Sequence, residues 1–379
     1  MKFGVGQAVR RREDVRLVTG QGHYTDDIRL KDEAHAYFVR SPHPHALIKS
    51  IDAGAARELP GVVGVLTADD LGDTGPMPVR GVMKNRDGSQ IKQSPKMLLP
   101  KDRARFPGEA IVMVVAETAA IAKDAADLVV IDYEPLAATA SLDALTQGAN
   151  IWDGIPGNLA FDWAEGNEAA CNEAFVSAAK TVSVELVQNR VSPSPMEPRG
   201  AVGVYDAAAD HYTLYTSTQG PSTIRDRIAI ALLKIPPQKL RVITEDVGGG
   251  FGMKATVVAE QALVLIAAKR FGRPVRWVGE RIEAFLADGH GRDVKMKGEL
   301  ALDKDARILG LRLQSAADMG AYMTHVAPYI PTLGLRVMGG VYRVPAVHAH
   351  VRGYFTNTTV ITSYRGAGRP EAIYITERL

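Results

Sequence analysis

The sequence predicts an α+β protein of two domains, and three observations carry that prediction. At 379 residues the chain exceeds what one ordinary core organises. The region 14–142 is rich in short apolar runs punctuated by proline and glycine, a signature of strands rather than long helices. The later region mixes strands with apolar helices, and three of its passages share one grammar: an extended apolar run, a glycine-bearing loop, then a helix start. They are YTLYTSTQGPST (212–223), LRVITEDVGGGFGMK (240–254) and VITSYRGAGRPE (360–371).

In order along the chain, 1–13 reads as an N-terminal tail. Residues 34–40, 47–52 and 62–66 read as strands, separated by Pro42, Pro44, Pro60 and Gly61. The long loop 73–101 has a length usually reserved for functional or mobile segments. A unit of the βαβ type follows. Residues 110–115 form a buried strand. Residues 118–128 form an alanine-rich helix with Ile121, Ala125 and Leu128 at helical spacing, and 129–133 a strand stopped by Pro135. Residues 143–166 lack periodicity and contain Gly154, Pro156 and Gly157, so they read as a connector to a second domain, 167–379. There, 182–187 alternates as a strand, and 223–233 is an amphipathic helix closed by Pro236 and Pro237. Residues 255–270 form an almost wholly apolar, hence buried, helix. Lys269 and Arg270 complement its C-terminal dipole, and Gly272 caps it. Residues 299–302 and 308–313 suggest a hairpin about Asp303-Lys304-Asp305. A helix begins at 369 with neither cap nor polar tail by 379, the pattern of a longer polypeptide or one half of a split one.

Composition narrows the function classes. Hydrophobic residues make up 46% and charged residues 23%, the proportions of a soluble globular protein. A net charge of +2 with both signs mixed gives no nucleic-acid footprint. No apolar run is long enough to span a bilayer, and Glu13, Asp14 and Arg16 stand where a secretory leader needs apolar residues. A cytoplasmic location is therefore expected. Cys171 is the only cysteine, so no intrachain disulfide, iron–sulfur cluster or thiolate zinc site can form. A redox metal would arrive inside an organic cofactor, and electrons would leave through another chain.

The glycine loops point to a large anionic ligand held from several sides, because such a loop leaves N–H groups bare ahead of a helix. The GGGFG loop fails both familiar nucleotide templates. Met253 stands where a Walker loop needs glycine before Lys254 and where a dinucleotide fingerprint needs its last small residue. Arg365 and Arg369 flank Gly366-Ala367-Gly368, and a guanidinium fork there suits an oxyanion. The alternative is a pair bonding neighbouring carboxylates. Gln219 can donate and accept without a titration; the alternative is turn capping. His43 with His45, and His348 with His350, have zinc-compatible spacing but no third ligand nearby. Glu197 and Arg199 suggest an ion pair in a proline-bounded turn, with a pocket role open.

These motifs resemble the molybdopterin-binding large subunit of the xanthine dehydrogenase, aldehyde oxidase and carbon monoxide dehydrogenase family, N-terminal half. RREDVRLVTGQGHYTDD, SPHPHA, PGEAIVMVVAET and VIDYEPL resemble its a/b hammerhead domain, here 14–142. TSTQGP, DVGGGFGMK and YRGAGRPEA resemble its cofactor loops, in family order, within 167–379. The resemblance implies molybdenum on a pterin dithiolene, in the cytosine dinucleotide form common in bacterial members, with no metal ligand from this chain. It implies hydroxylation of an aldehyde or N-heteroaromatic carbon with oxygen from water. Electrons would pass to 2Fe-2S and FAD groups on an iron–sulfur small subunit and a FAD-binding medium subunit, in a dimer of heterotrimers. Gln219 would face the metal. Gly220, Gly249, Gly250, Phe251 and Gly252 would supply backbone amides and an aromatic wall, and Arg365, Gly366 and Ala367 would line the active-site side. The family's catalytic glutamate lies in a downstream part that 1–379 does not contain. Two departures matter. Copper-using members carry cysteine after the arginine of the third loop, where this chain has Gly366. Xanthine-oxidising members carry glutamate after the second loop, where Ala255 follows Lys254. A non-catalytic carrier or assembly module is the competing class.

Overall fold

The computed structural model describes residues 4–79, 83–146 and 148–379. Residues 1–3 of the tail, 80–82 of the long loop and 147 of the connector lie outside the described residues. The strands are β1 (Ala34–Arg40), β2 (Ala46–Asp52), β3 (Val62–Leu66), β4 (Arg103–Ala104), β5 (Ala110–Ala116), β6 (Val130–Pro135), β7 (Leu159–Gly166) and β8 (Lys180–Gln188). They continue with β9 (Gly200–Asp206), β10 (His211–Thr216), β11 (Leu240–Ile243), β12 (Val275–Val278), β13 (Val294–Leu302), β14 (Ile308–Asp318) and β15 (Ala346–Tyr354). A seven-stranded sheet runs β11-β10-β9-β12-β1-β5-β3, a five-stranded sheet β7-β15-β14-β13-β8, and a three-stranded sheet β4-β2-β6.

The seven-stranded sheet draws on both halves of the sequence. β1 joins β12 in parallel, with Ala34 opposite Val275, and the Ala34 N–H donates to the Pro274 carbonyl at 2.8 Å. β5 sits between β1 and β3, antiparallel to both. All seven of its residues, AIVMVVA, are buried, as a strand covered on both faces requires. The sequence suggested a βαβ unit here, and the structure corrects that. The helix Ala119–Asp127 does follow β5, but β6 pairs antiparallel with β2 in the three-stranded sheet. Burial along β6 alternates, so it covers a core with one face only.

The helix Ala259–Phe271 packs on β9. Leu263, Val264 and Leu265 are fully buried, each stabilising the fold by about 2 kcal/mol relative to exposure. Gly203 on β9 permits the approach, since a Cβ there would lie 2.5 Å from the Val264 carbonyl oxygen. The helix starts later than the sequence suggested, because Met253–Ala255 forms a separate 3-10 turn. Gly272 closes it with φ +64°, in the left-handed region. After the loop that follows β10, the helix Pro221–Asp226 widens into a π-helical turn, Arg227–Leu232, rather than continuing uniformly.

A second core, with Phe161, Leu311, Leu313, Val351 and Phe355, lies on the five-stranded sheet. The hairpin about Asp303-Lys304-Asp305 forms with Leu302 opposite Ile308, and its strands run further than read from the sequence. β7 occupies the end of the stretch read as a connector.

Candidate functional site

The three glycine loops meet. Loop 1 leaves β10 and enters the helix at Pro221, loop 2 leaves β11 and enters the 3-10 turn at Met253, and loop 3 precedes the helix Arg369–Thr376. The Gly252 N–H donates to Gln219 Oε1 at 2.7 Å, and the Gln219 N–H donates to the Lys254 carbonyl at 3.2 Å. The Arg365 N–H donates to the Phe251 carbonyl at 2.9 Å. Loop 2 is thus bonded to loop 1 on one side and to loop 3 on the other.

The glycines are required by loop–loop contact. A Cβ on Gly250 would lie 2.6 Å from Gln219 Oε1, and one on Gly252 would lie 2.8 Å from the Ser363 carbonyl oxygen. Gly249, Gly252 and Gly366 have φ of +104°, +94° and +104°. Two non-glycine residues, Phe251 at φ +51° and Ala367 at φ +46°, also adopt left-handed backbone. Such strain costs on the order of 1–3 kcal/mol and persists where surrounding contacts dictate it. Gly220 differs: a Cβ there would meet Thr223 at an ordinary 3.7 Å.

The side chains of Gln219, Phe251 and Arg365 are exposed on this surface. With its oxygen engaged by Gly252, the Gln219 amide turns its NH2 outward as a donor. Among the described residues, the N–H groups of Gly249, Gly250 and Phe251 have no acceptor. Successive free N–H groups at alternating backbone hand form a concave donor site for an anion. This set of donors, with an exposed guanidinium and a phenyl face, fits a phosphate-bearing organic cofactor with a polar redox end.

Buried charges hold the loops from behind. Lys254 is wholly buried, and its Nζ donates to Glu197 Oε2 and the Glu197 carbonyl, both at 2.8 Å, and to Ser217 Oγ at 3.0 Å. Burial lowers the Lys254 pKa, against the pull of Glu197. Arg199 does not pair with Glu197, contrary to the sequence reading. Its Nε donates to Asp288 Oδ1 at 2.6 Å and its Nη2 to the Met253 carbonyl at 2.7 Å, which fixes the end of loop 2. Burial pushes the Asp288 carboxyl up, opposed by Arg199. Under loop 3, Arg292 donates to the Tyr364 and Arg365 carbonyls at 2.9 and 2.8 Å, with Glu371 3.5 Å away.

Other candidates lie elsewhere. Arg369 Nε donates to its own loop's Gly366 carbonyl at 2.9 Å, and among the described residues neither Arg365 nor Arg369 pairs with a carboxylate. His45 is buried with Nδ1 2.8 Å from the Ala137 carbonyl oxygen, His43 packs on Tyr133, and His350 Nε2 lies 2.6 Å from Asp162 Oδ1. Asp246 pairs with Arg16, which holds its carboxyl down at about 2. Sequence reasoning missed Ser217, Lys254, Arg292 and Asp288. Lys254 had a visible signal in GGGFGMK, whereas Arg292 and Asp288 belong to no motif.

Fold and convergent loops define a cofactor-binding protein of the α+β class. Residues 151–379 match the molybdopterin cofactor-binding domain family, and residues 19–137 match the aldehyde oxidase and xanthine dehydrogenase a/b hammerhead domain. The chain belongs to this molybdopterin-binding family, that of the xanthine dehydrogenase, aldehyde oxidase and carbon monoxide dehydrogenase large subunits. It is 33% identical to the carbon monoxide dehydrogenase large chain of Hydrogenophaga pseudoflava, covering 97% of this chain and 47% of that one. It is 35% identical to the nicotine 6-hydroxylase large subunit of Paenarthrobacter nicotinovorans, covering 96% and 44%. The crystal structure of quinoline 2-oxidoreductase from Pseudomonas putida 86 superposes with a TM-score of 0.91 at 36% identity, covering 100% of this chain and 48% of that one. The chain spans about half the length of the relatives named here.

Proposed function

We propose that this chain forms the cofactor-holding half of a molybdenum hydroxylase large subunit that oxidises an aldehyde or N-heteroaromatic carbon, taking oxygen from water. The observation that carries this reading is the joining of three glycine loops through Gly252–Gln219 and Phe251–Arg365, with free donors on the exposed side. Gly249 and Gly250, with the Phe251 N–H, hold the cofactor by backbone, while Gly220 and Gly252, whose N–H groups are taken by Thr218 Oγ1 and Gln219 Oε1, shape the loops around it. Phe251 walls it, and Arg365, Gly366 and Ala367 line the substrate side. Gln219 directs its NH2 at the reactive end. When bound, the molybdenum cofactor supplies the centre that accepts two electrons as the substrate carbon is hydroxylated.

The relatives' names favour aromatic nitrogen heterocycles, since two of them act on nicotine and quinoline. Gly366 argues against copper-dependent carbon monoxide chemistry, because no soft ligand for Cu(I) stands there and Cys171 is buried near the Leu311 carbonyl. The cytosine dinucleotide form, iron–sulfur and FAD partner subunits, a dimer of heterotrimers, a cytoplasmic location and the division into 14–142, 143–166 and 167–379 belong to the same reading. The catalytic base is assigned to the downstream half. Within this chain Glu197 is saturated by donors, and Glu245 sits on an exposed stretch beside the Arg16-bound Asp246. The test is reconstitution of 1–379 with cofactor, with and without the downstream half, assayed for N-heterocycle or aldehyde hydroxylation with an artificial acceptor. Turnover only with both halves is expected, and full turnover by 1–379 alone would refute the assignment of the base.

A further inference from the structure

We propose that Glu197, with Lys254 as its buried counter-ion, is the positioning residue that sets the spacing between the Gln219 amide and the free N–H groups of Gly249, Gly250 and Phe251. The proposal rests on the cofactor reading above. One carboxylate oxygen, Glu197 Oε2, accepts from three groups: Ser217 Oγ at 2.6 Å, the Gly248 N–H at 2.8 Å and Lys254 Nζ at 2.8 Å. Ser217 lies two residues before Gln219 in loop 1. Gly248 and Lys254 are the two feet of the GGGFG loop. A single carboxylate therefore closes loop 2 at its base and ties it to loop 1.

The backbone repeats the clamp. The Glu197 N–H donates to the Gly248 carbonyl at 3.1 Å, and Lys254 Nζ donates to the Glu197 carbonyl at 2.8 Å. Lys254 completes the circuit, because its own carbonyl accepts from Thr218 Oγ1 at 2.8 Å and from the Gln219 N–H at 3.2 Å. Close approach is obligatory at Gly248, where a Cβ would lie 2.4 Å from Glu197 Cβ. Glu197 Oε1 also takes the Thr25 N–H at 3.4 Å, linking the cradle to the N-terminal region. A wholly buried ammonium needs a counter-charge, and the carboxylate that supplies it is the one that orders both loops. Such a carboxylate has its lone pairs committed, and it acts on the site through its neighbours rather than on a substrate.

The test uses the intact complex carrying Glu197→Gln, with Gln219→Ala and wild type as references. Three readouts are taken: molybdenum content, the Mo(V) electron paramagnetic resonance signal, and amide hydrogen exchange at the bonded loop amides of Gln219, Gly252 and Lys254 against β13–β14. In Glu197→Gln, exchange at these three amides is expected to quicken at least tenfold with β13–β14 unchanged. The Mo(V) signal of the remaining loaded fraction should move in the same direction as in Gln219→Ala. Unchanged loop exchange and spectrum, or exchange quickened equally everywhere, would overturn the proposal. Loss of the acid limb of the pH–rate profile with an unaltered spectrum would make Glu197 a base and overturn it as well. Should Glu197→Gln fail to fold, Ser217→Ala removes one donor and is expected to give the same changes at smaller amplitude; a wild-type result there is equally fatal. If wild type itself holds no molybdenum, the cofactor reading fails, while loop exchange still reports on the clamp.

Discussion

Gln219 presents a preset donor, because the Gly252 N–H occupies its oxygen at 2.7 Å and leaves the NH2 facing out. Removing one aimed donor at a reacting centre costs roughly 3 kcal/mol in the transition state. Gln219→Ala is therefore expected to lower turnover about a hundredfold while molybdenum content falls far less. Parallel loss of both would make Gln219 an anchor. Gly252→Val should do the reverse and empty the site. At φ +94° a branched residue is strained, and its Cβ would press on the Ser363 carbonyl, parting loops 2 and 3. Metal analysis of that variant checks this, with full occupancy as the contrary result. At this scale the sequence was informative where a motif is contiguous: Gln219, the GGGFG glycines and Arg365 fall on one surface. It was uninformative where partners are distant. Lys254 and Glu197 are 57 positions apart, and nothing local says that Arg199 turns to Asp288 instead.

Loop 3 is held at its root by a bridge between His290 and Ile361, in which the Thr362 N–H donates to the His290 carbonyl at 2.7 Å. The His290 ring is half-buried, and that burial, with Arg190 nearby, pulls its pKa down to about 4. The unfolded ring takes up its proton near the ordinary value of about 6.5, before the folded one does. Stability should therefore decline as pH falls from about 6.5 towards about 4, by up to about 3 kcal/mol from this group. Denaturant unfolding of wild type and His290→Gln across that range checks it: the variant's curve should be flatter there, and parallel curves would contradict the assignment. Strand positions were legible because apolar alternation and proline breaks are local. Pairing was not. β5 and β6 flank one helix, yet they join different sheets, since β5 needs cover on both faces and β6 on one.

The molecule is tied across its two regions by one sheet and by buried charges. Arg40 on β1 donates to Glu260 Oε1 at 2.7 Å and to Glu283 Oε1 at 2.8 Å, and Arg276 on β12 pairs with Glu33 at 3.0 Å. Residues 151–379 expressed without 1–150 would uncover the β12 edge, leave Glu260 and Glu283 without Arg40, and leave Arg276 without Glu33. That fragment is expected to aggregate or unfold without a cooperative transition, as read by sedimentation and thermal circular dichroism; a monomer unfolding cooperatively would contradict it. Whether the three loops hold a molybdenum cofactor is read by metal and pterin analysis of the complex purified from molybdate-fed cells with its partner chains present. Close to one molybdenum per chain and release of a pterin on denaturation are expected, and zinc alone, or no metal and no pterin, would overturn the assignment of the loops.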